Sequence, residues 1–226
     1  MHRIVKDFDF QLTAEDILKG QGIDPARASD RLKETAESVI DETHSLLNPT
    51  AIYTLVNVLE FEHKTISFEG GSFEGSLVSK ALAGADHLNI AVCTIGNSLE
   101  LRVEEMMNEN PVKALALDGA GIAALRKVSI AIEDIISAEA CELKLDLGMR
   151  AQPGQEGWPI EQQRQVFSIL PCEEIGLRLT ESCLMIPRKS VSFVIPRGNN
   201  LKSGMSPCDF CSKRNRCEWR KDKQMA

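Results

Sequence analysis

Leu88-Asn89-Ile90-Ala91-Val92-Cys93-Thr94-Ile95-Gly96 reads as a buried strand stopped by a glycine. Two helical segments follow it, not one. The first runs from Asn97 to about Glu109. The second opens on Pro111, a residue suited to the first helical position, and carries Leu115, Ile122, Leu125, Val128, Ile132, Ile135 and Ile136 at helical spacing towards Leu145. The chain returns to a strand only at Val191 to Ile195, after an irregular stretch beyond Gly148 and a helix near Ile160 to Leu170.

Working upstream, Ser76 to Leu82 reads as a short helix ended near Gly84. Ile52 to Val58 and Thr65-Ile66-Ser67-Phe68 are β-branched and aromatic runs, and Gly70-Gly71 supplies a turn. A helix is expected from Asp24-Pro25 to Leu47, stopped by Asn48-Pro49. Thr13 and Asp16 have capping-box spacing and open a brief helix that Gly20 or Gly22 ends, and residues 3 to 10 form a short strand. Strands and helices do not alternate strictly along this order. The predicted class is therefore α+β, an antiparallel sheet flanked by helices over residues 1–196, with a short Cys-rich basic tail over 197–226.

The chain has 226 residues, with 26 Lys and Arg against 33 Asp and Glu, a formal net charge of −7. That balance argues against a nucleic-acid binder whose affinity comes from phosphate neutralisation. From Arg197 onward eight basic residues face three acidic ones, so the tail is positive and the body strongly negative. No apolar run approaches the ~18 residues of a membrane span. Met1-His2-Arg3-Ile4-Val5-Lys6-Asp7 turns acidic before a secretory signal could form, so a cytoplasmic chain is expected, with its seven cysteines in a reducing compartment.

Asp118-Gly119-Ala120-Gly121-Ile122-Ala123-Ala124 contains G-x-G-x-x-A. A dinucleotide fingerprint needs a strand before it, and Val112 to Leu117 is mostly helix-forming. The favoured reading is that the glycines let the long helix approach another backbone, with Asp118 either a satisfied polar residue or a site residue. His2, His44, His63 and His87 are scattered, and neither a nucleophile elbow nor a phosphate loop is present. A Cys–His dyad is left open, although buried thiols are commoner than reactive ones.

Arg150-Ala151-Gln152-Pro153-Gly154-Gln155-Glu156-Gly157-Trp158-Pro159 packs two prolines, two glycines and a tryptophan close behind an arginine. Such backbone is held open, its amides and carbonyls are able to meet a ligand, and Arg150 offers a fork to a carboxylate. An ordinary loop with a solvated arginine is the competing reading. A second cluster runs Ile175-Gly176, Leu179-Thr180-Glu181-Ser182, Met185, Pro187 and Ser190-Val191-Ser192.

With Arg150, Pro153, Gly154, Trp158, Pro159 and Gln162 or Gln163, this second cluster resembles the activation domain of cobalamin-dependent methionine synthase, and more closely its stand-alone activation subunits. The likeness is dense over residues 150 to 195 and softer back through Cys93-Thr94-Ile95-Gly96 and the Asp118 helix. It implies a domain that binds S-adenosylmethionine and docks over a corrinoid-carrying partner, a corrinoid-binding protein or methionine synthase core, whose cobalamin has drifted to Co(II). One electron from a flavodoxin-like donor plus the methyl group then restores methylcobalamin. By position, Arg150 would hold the cofactor's carboxylate and the backbone at Gln152 and Gly154 would meet the adenosine, with Pro153, Gln155, Glu181 and Ser182 completing the cofactor site. The family's tyrosine after Pro-Gly is Gln155 here, and the only tyrosine, Tyr53, is distant in sequence. Arg126-Lys127 stands where relatives tend to carry acidic residues. Gln155 in place of that tyrosine favours a rival from another class, a non-catalytic metal-bearing adaptor of a corrinoid protein that has lost the ligand.

The tail carries Cys208, Cys211 and Cys217 in a C-x2-C-x5-C pattern. In a reducing compartment three such thiols suit zinc or an iron–sulfur cluster, with Cys183 or Cys172 as fourth ligand. Lys213, Arg214 and Arg216 beside them favour the thiolate form. A basic tail with free thiols is the alternative.

Overall fold

The computed structural model describes residues 1–201, 206–211 and 214–220. Strand β1 (Arg3–Val5) leads to helix α1 (Ala14–Gly20), whose N-terminus is closed by the expected capping box: the Thr13 hydroxyl accepts from the Asp16 amide, and the Asp16 carboxylate accepts from the Thr13 amide, each at 3.1 Å. The single helix expected over 24–47 is instead a 3-10 turn at Pro25–Arg27 followed by α2 (Asp30–Ser38) and α3 (Ile40–Leu46). Ala28 is extended, and Ser29 caps α2 by accepting from the Leu32 amide, so capping chemistry outcompetes continuity there. Val39 is the joint between α2 and α3.

Next come β2 (Thr50–Glu62), β3 (Thr65–Phe68), β4 (Gly71–Glu74), α4 (Val78–Ala81), β5 (His87–Thr94), α5 (Ser98–Glu109) and the long α6 (Pro111–Glu142), close to the sequence expectation. The remainder is β6 (Asp146–Leu147), α7 (Gln163–Ile169), the small hairpin β7 (Arg178–Leu179) and β8 (Met185–Ile186), and β9 (Ser190–Gly198). The main sheet is antiparallel in the order β4-β3-β2-β5-β9-β6, and β1 also pairs with β2. The α+β reading holds.

Both faces of this sheet are buried, which is why β5 is mainly apolar from Leu88 to Cys93 instead of alternating, with Asn89 the buried polar exception. Ala51, Tyr53, Ala91, Cys93, Phe193 and Ile195 point to the layer of α1, α2, α5 and α6; Ile52, Val56, Ile90, Val92 and Val194 point to the opposite layer, with Phe68, Phe73, Trp158 and Val166. The tail touches both layers, Trp219 against the first and Phe210 against the second. Tyr53 belongs to this framework: its hydroxyl donates to Glu139 of α6 at 2.8 Å, while the buried Arg197 of β9 donates to Asn89 at 3.1 Å and to the Ile136 carbonyl at 3.3 Å.

The G-x-G-x-x-A segment lies inside α6, so the dinucleotide reading is overturned and the close-approach reading stands. A Cβ on Gly20 would sit 2.1 Å from the Gly119 carbonyl oxygen, and one on Gly119 would sit 2.8 Å from that of Ile17. Backbone meets backbone at this crossing of α1 and α6, so neither helix can relax by a rotamer change. Gly20→Ala is expected to cost about 3 kcal/mol in urea unfolding; a loss below ~0.5 kcal/mol would show the crossing to be slack. Asp118 is held by the Lys189 ammonium at 2.6 Å. Among the described residues no helix is long and apolar enough to cross a membrane.

Candidate functional site

One face of α6 carries Ile122, Leu125, Arg126, Ser129, Ile130, Glu133 and Asp134 into a cleft of about 1010 Å³. Opposite it stand Arg150, Gln152 and Gln155 from the loop before α7, Val191 from the start of β9, and Ser206, Cys208, Asp209 and Trp219 from the tail. The 150s loop is anchored at its root because Ala151 makes an isolated antiparallel bridge with Val194, with hydrogen bonds of 2.8 and 3.0 Å. Its far end is anchored by Trp158, 1% exposed, which meets Phe73 edge-on at 5.0 Å and donates its indole N–H to Gln162 at 3.1 Å.

Arg150 joins the loop wall of the cleft to the α6 wall. Its Nη1 donates to the Glu133 carboxylate in a close ion pair and to the Ser129 hydroxyl at 3.2 Å, and its guanidinium lies 4.0 Å from the centroid of the Phe193 ring. Ring and carboxylate together fix the fork in place before any ligand arrives. Directly beneath, burial pushes the Cys93 thiol up to about 12, with the Arg150 charge lowering it and the Glu133 charge raising it further. Cys172, in the opposite layer, is likewise pushed up to about 12 by burial and by Glu173. Burial thus keeps both thiols protonated at neutral pH.

The expectation of an open loop backbone is corrected. The Gln152 amide donates to the Gln155 side chain at 2.9 Å, and the Gly154 amide donates to the Trp158 carbonyl at 2.9 Å. Of the backbone expected to meet adenosine, both amides are thus already used, that of Gln152 by the folded-back Gln155 side chain and that of Gly154 by the Trp158 carbonyl. Gly154 has φ of +91°, a conformation glycine tolerates, and a Cβ there would press within 2.9 Å of Ile160. Of the loop residues, the side chains of Arg150, Gln152 and Gln155 reach the cleft; Pro153 is buried away from it and Gly154 is exposed outside it.

Glu181 and Ser182 are not in the cleft. They occupy an exposed turn before β8, where the Glu181 carbonyl accepts from Arg164 and the Ser182 hydroxyl is 3.0 Å from that of Thr180. The turn's local hydrogen bonding absorbs this motif. Among the described residues no three His, Cys, Asp or Glu side chains gather to hold a metal ion, so Cys208, Cys211 and Cys217 are not assembled with Cys183 or Cys172 into a ligand set. Cys172 and Cys183 are buried elsewhere, the latter at φ of +61° in the Thr180 turn, while Cys208 faces the cleft. Lys213 lies outside the described residues.

Sequence reasoning missed Glu133 and Asp134. It looked for an acidic residue near Arg126-Lys127; the carboxylates sit about two turns further along the same helix. Ser129 and Glu133, four apart, shared a face with Arg126 in the sequence, but nothing there said which face would meet Arg150.

No protein-family model matches the chain, and no curated protein matches it. A solved structure of the MetH reactivation domain bound to AdoHcy superposes on 90% of this chain and 80% of that one, with a TM-score of 0.61 at 14% sequence identity. The chain therefore shares the fold of the MetH reactivation domain, an antiparallel sheet flanked by helices, with its Arg150 cleft set between the longest helix and the edge of that sheet.

Proposed function

We propose that this chain is a stand-alone activator of a corrinoid-dependent methyltransferase and that it holds S-adenosylmethionine in the Arg150 cleft. The observation that carries the reading is the ion pair of Arg150 with Glu133, with the Asp134 carboxylate lining the same cleft, in a space large enough for an aminoacyl nucleoside. An α-amino acid terminus carries one anion and one cation, and this wall presents the complement of each. Arg150 and Ser129 take the carboxylate; Glu133 and Asp134 take the ammonium. The shared fold with a domain solved with AdoHcy supports the same reading.

S-adenosylmethionine supplies an electrophilic methyl group, and with one electron from a flavodoxin-like donor it would return a partner's Co(II) corrinoid to its methylated form, S-adenosylhomocysteine leaving. The contribution of this chain is to bind, orient and keep water from the ligand. The resident Arg150–Glu133 pair keeps the empty cleft near neutrality, so neither charge is stranded before binding.

A non-catalytic adaptor that keeps the fold without the ligand is the second reading, and the internally bonded amides of Gln152 and Gly154 favour it. Calorimetric titration of the full chain with S-adenosylmethionine separates the two. The activator gives one saturable site. Absence of heat up to millimolar ligand, with the chain still co-purifying anaerobically with a corrinoid chromophore, leaves the adaptor in place and removes the activator.

A further inference from the structure

The loop that carries Arg150 brings no aromatic ring to the cleft. Gln155 replaces the ring expected from the resemblance, and Trp158 is turned into the core at 1% exposure. Trp219, from the tail, is the one aromatic side chain among the described residues lining the cleft. Its ring is held from two helices: the Arg126 guanidinium of α6 lies 4.8 Å from its centroid and the Lys19 ammonium of α1 lies 5.9 Å away. It also packs against the helical layer of the core. The ring therefore has a fixed place before a ligand arrives, which spares the ordering cost of a mobile side chain.

The position of this ring divides the cleft. Trp219 lies at the level of Arg126, whereas Arg150 is engaged at Ser129 and Glu133. Between Arg126 and Glu133 the helix advances about 10 Å. One end of the cleft thus carries an aromatic ring held by two cations, and the other carries the Arg150–Glu133 pair. An aminoacyl nucleoside has the same division, a planar base at one end and a zwitterion at the other.

We propose that Trp219 is the base-stacking wall of the cleft, with the purine of an aminoacyl nucleoside against its indole while the amino-acid end engages Glu133 and Arg150. The assignment rests on the ligand class proposed above and adds to it a residue of the tail. Every base has a π-face, so the indole contributes affinity, while the charged end selects the amino-acid terminus. Trp219 is on this view a part of the binding site.

The test uses the full chain, with S-adenosylhomocysteine as probe, by calorimetry and tryptophan emission together. Saturation is expected to quench wild-type emission with the calorimetric midpoint, and Trp219→Phe is expected to abolish that quench while keeping most of the affinity. Trp219→Ala is expected to weaken binding of both S-adenosylhomocysteine and adenosine by roughly tenfold or more. Unchanged emission at saturation overturns the assignment, as does a Trp219→Ala protein that binds as tightly as wild type. Tighter binding by Trp219→Ala overturns it too, since it would make the tail a plug. In all three cases wild type still binds, so the ligand class survives; a wild-type chain that takes up no probe removes both.

Discussion

Arg150→Ala is expected to weaken S-adenosylmethionine binding by about 100-fold while leaving the fold intact. A charge-assisted hydrogen bond to a carboxylate contributes about 1.5 to 3 kcal/mol, and removing it here has a second consequence. Glu133 loses its partner, and the wall becomes doubly acidic where the ligand carboxylate must sit. Repulsion then adds to the lost attraction. Arg150→Lys is expected to recover only part of the loss, since an ammonium supplies a point charge where a planar fork donates to two acceptors and stacks on Phe193. Glu133→Gln should weaken binding less, because Asp134 remains. Calorimetry on the three variants checks the order, and an Arg150→Ala protein indistinguishable from wild type would place the ligand elsewhere.

Trp158→Ala is expected to have the largest effect on stability, about 3 to 5 kcal/mol, seen as a fall in melting midpoint of about 10 °C. Its indole fills the layer opposite the long helix and packs on Phe73. The same residue closes the loop that carries Gln152 and Gln155, through its amide to the Gln155 carbonyl at 2.9 Å and its carbonyl to Gly154. Its partner Gln162 also bonds the Glu74 backbone in β4, accepting from the amide at 2.9 Å and donating to the carbonyl. Stability and ligand affinity should therefore fall together in Trp158→Ala. Trp158→Phe keeps the ring contact, loses the hydrogen bond, and should lie between. A Trp158→Ala midpoint within 2 or 3 °C of wild type, roughly the effect of 1 kcal/mol in a chain of this size, would contradict the packing.

How much of this was readable beforehand follows from what each signal reports. The Thr13–Asp16 box, the Pro111 helix start and the β5 run are local, and local chemistry survives folding unchanged. The break at Ala28-Ser29 was hidden because Ser29 reads equally well as a helical residue or a cap, and tertiary packing decides between them. The Arg150 loop was legible from its composition and from the resemblance. Its open backbone was not, because Gln155 can turn either outward or back onto the Gln152 amide, and only three-dimensional placement shows which. Glu181 and Ser182 are expected in the site by resemblance, and they lie outside the Arg150 cleft in a turn with local hydrogen bonds. Glu133 and Trp219 are the converse: 17 and 69 residues from Arg150 in sequence, they meet its cleft only through the register of α6 and the path of the tail.

The most direct test of the account is a crystal structure of the full chain grown with S-adenosylhomocysteine. The expected map shows the ligand along α6, its carboxylate on the Arg150 fork, its ammonium facing Glu133 and Asp134, and its adenine at the Trp219 end. A ligand bound away from α6, or a cleft without ligand and with the Arg150–Glu133 pair intact at saturating ligand, would contradict it.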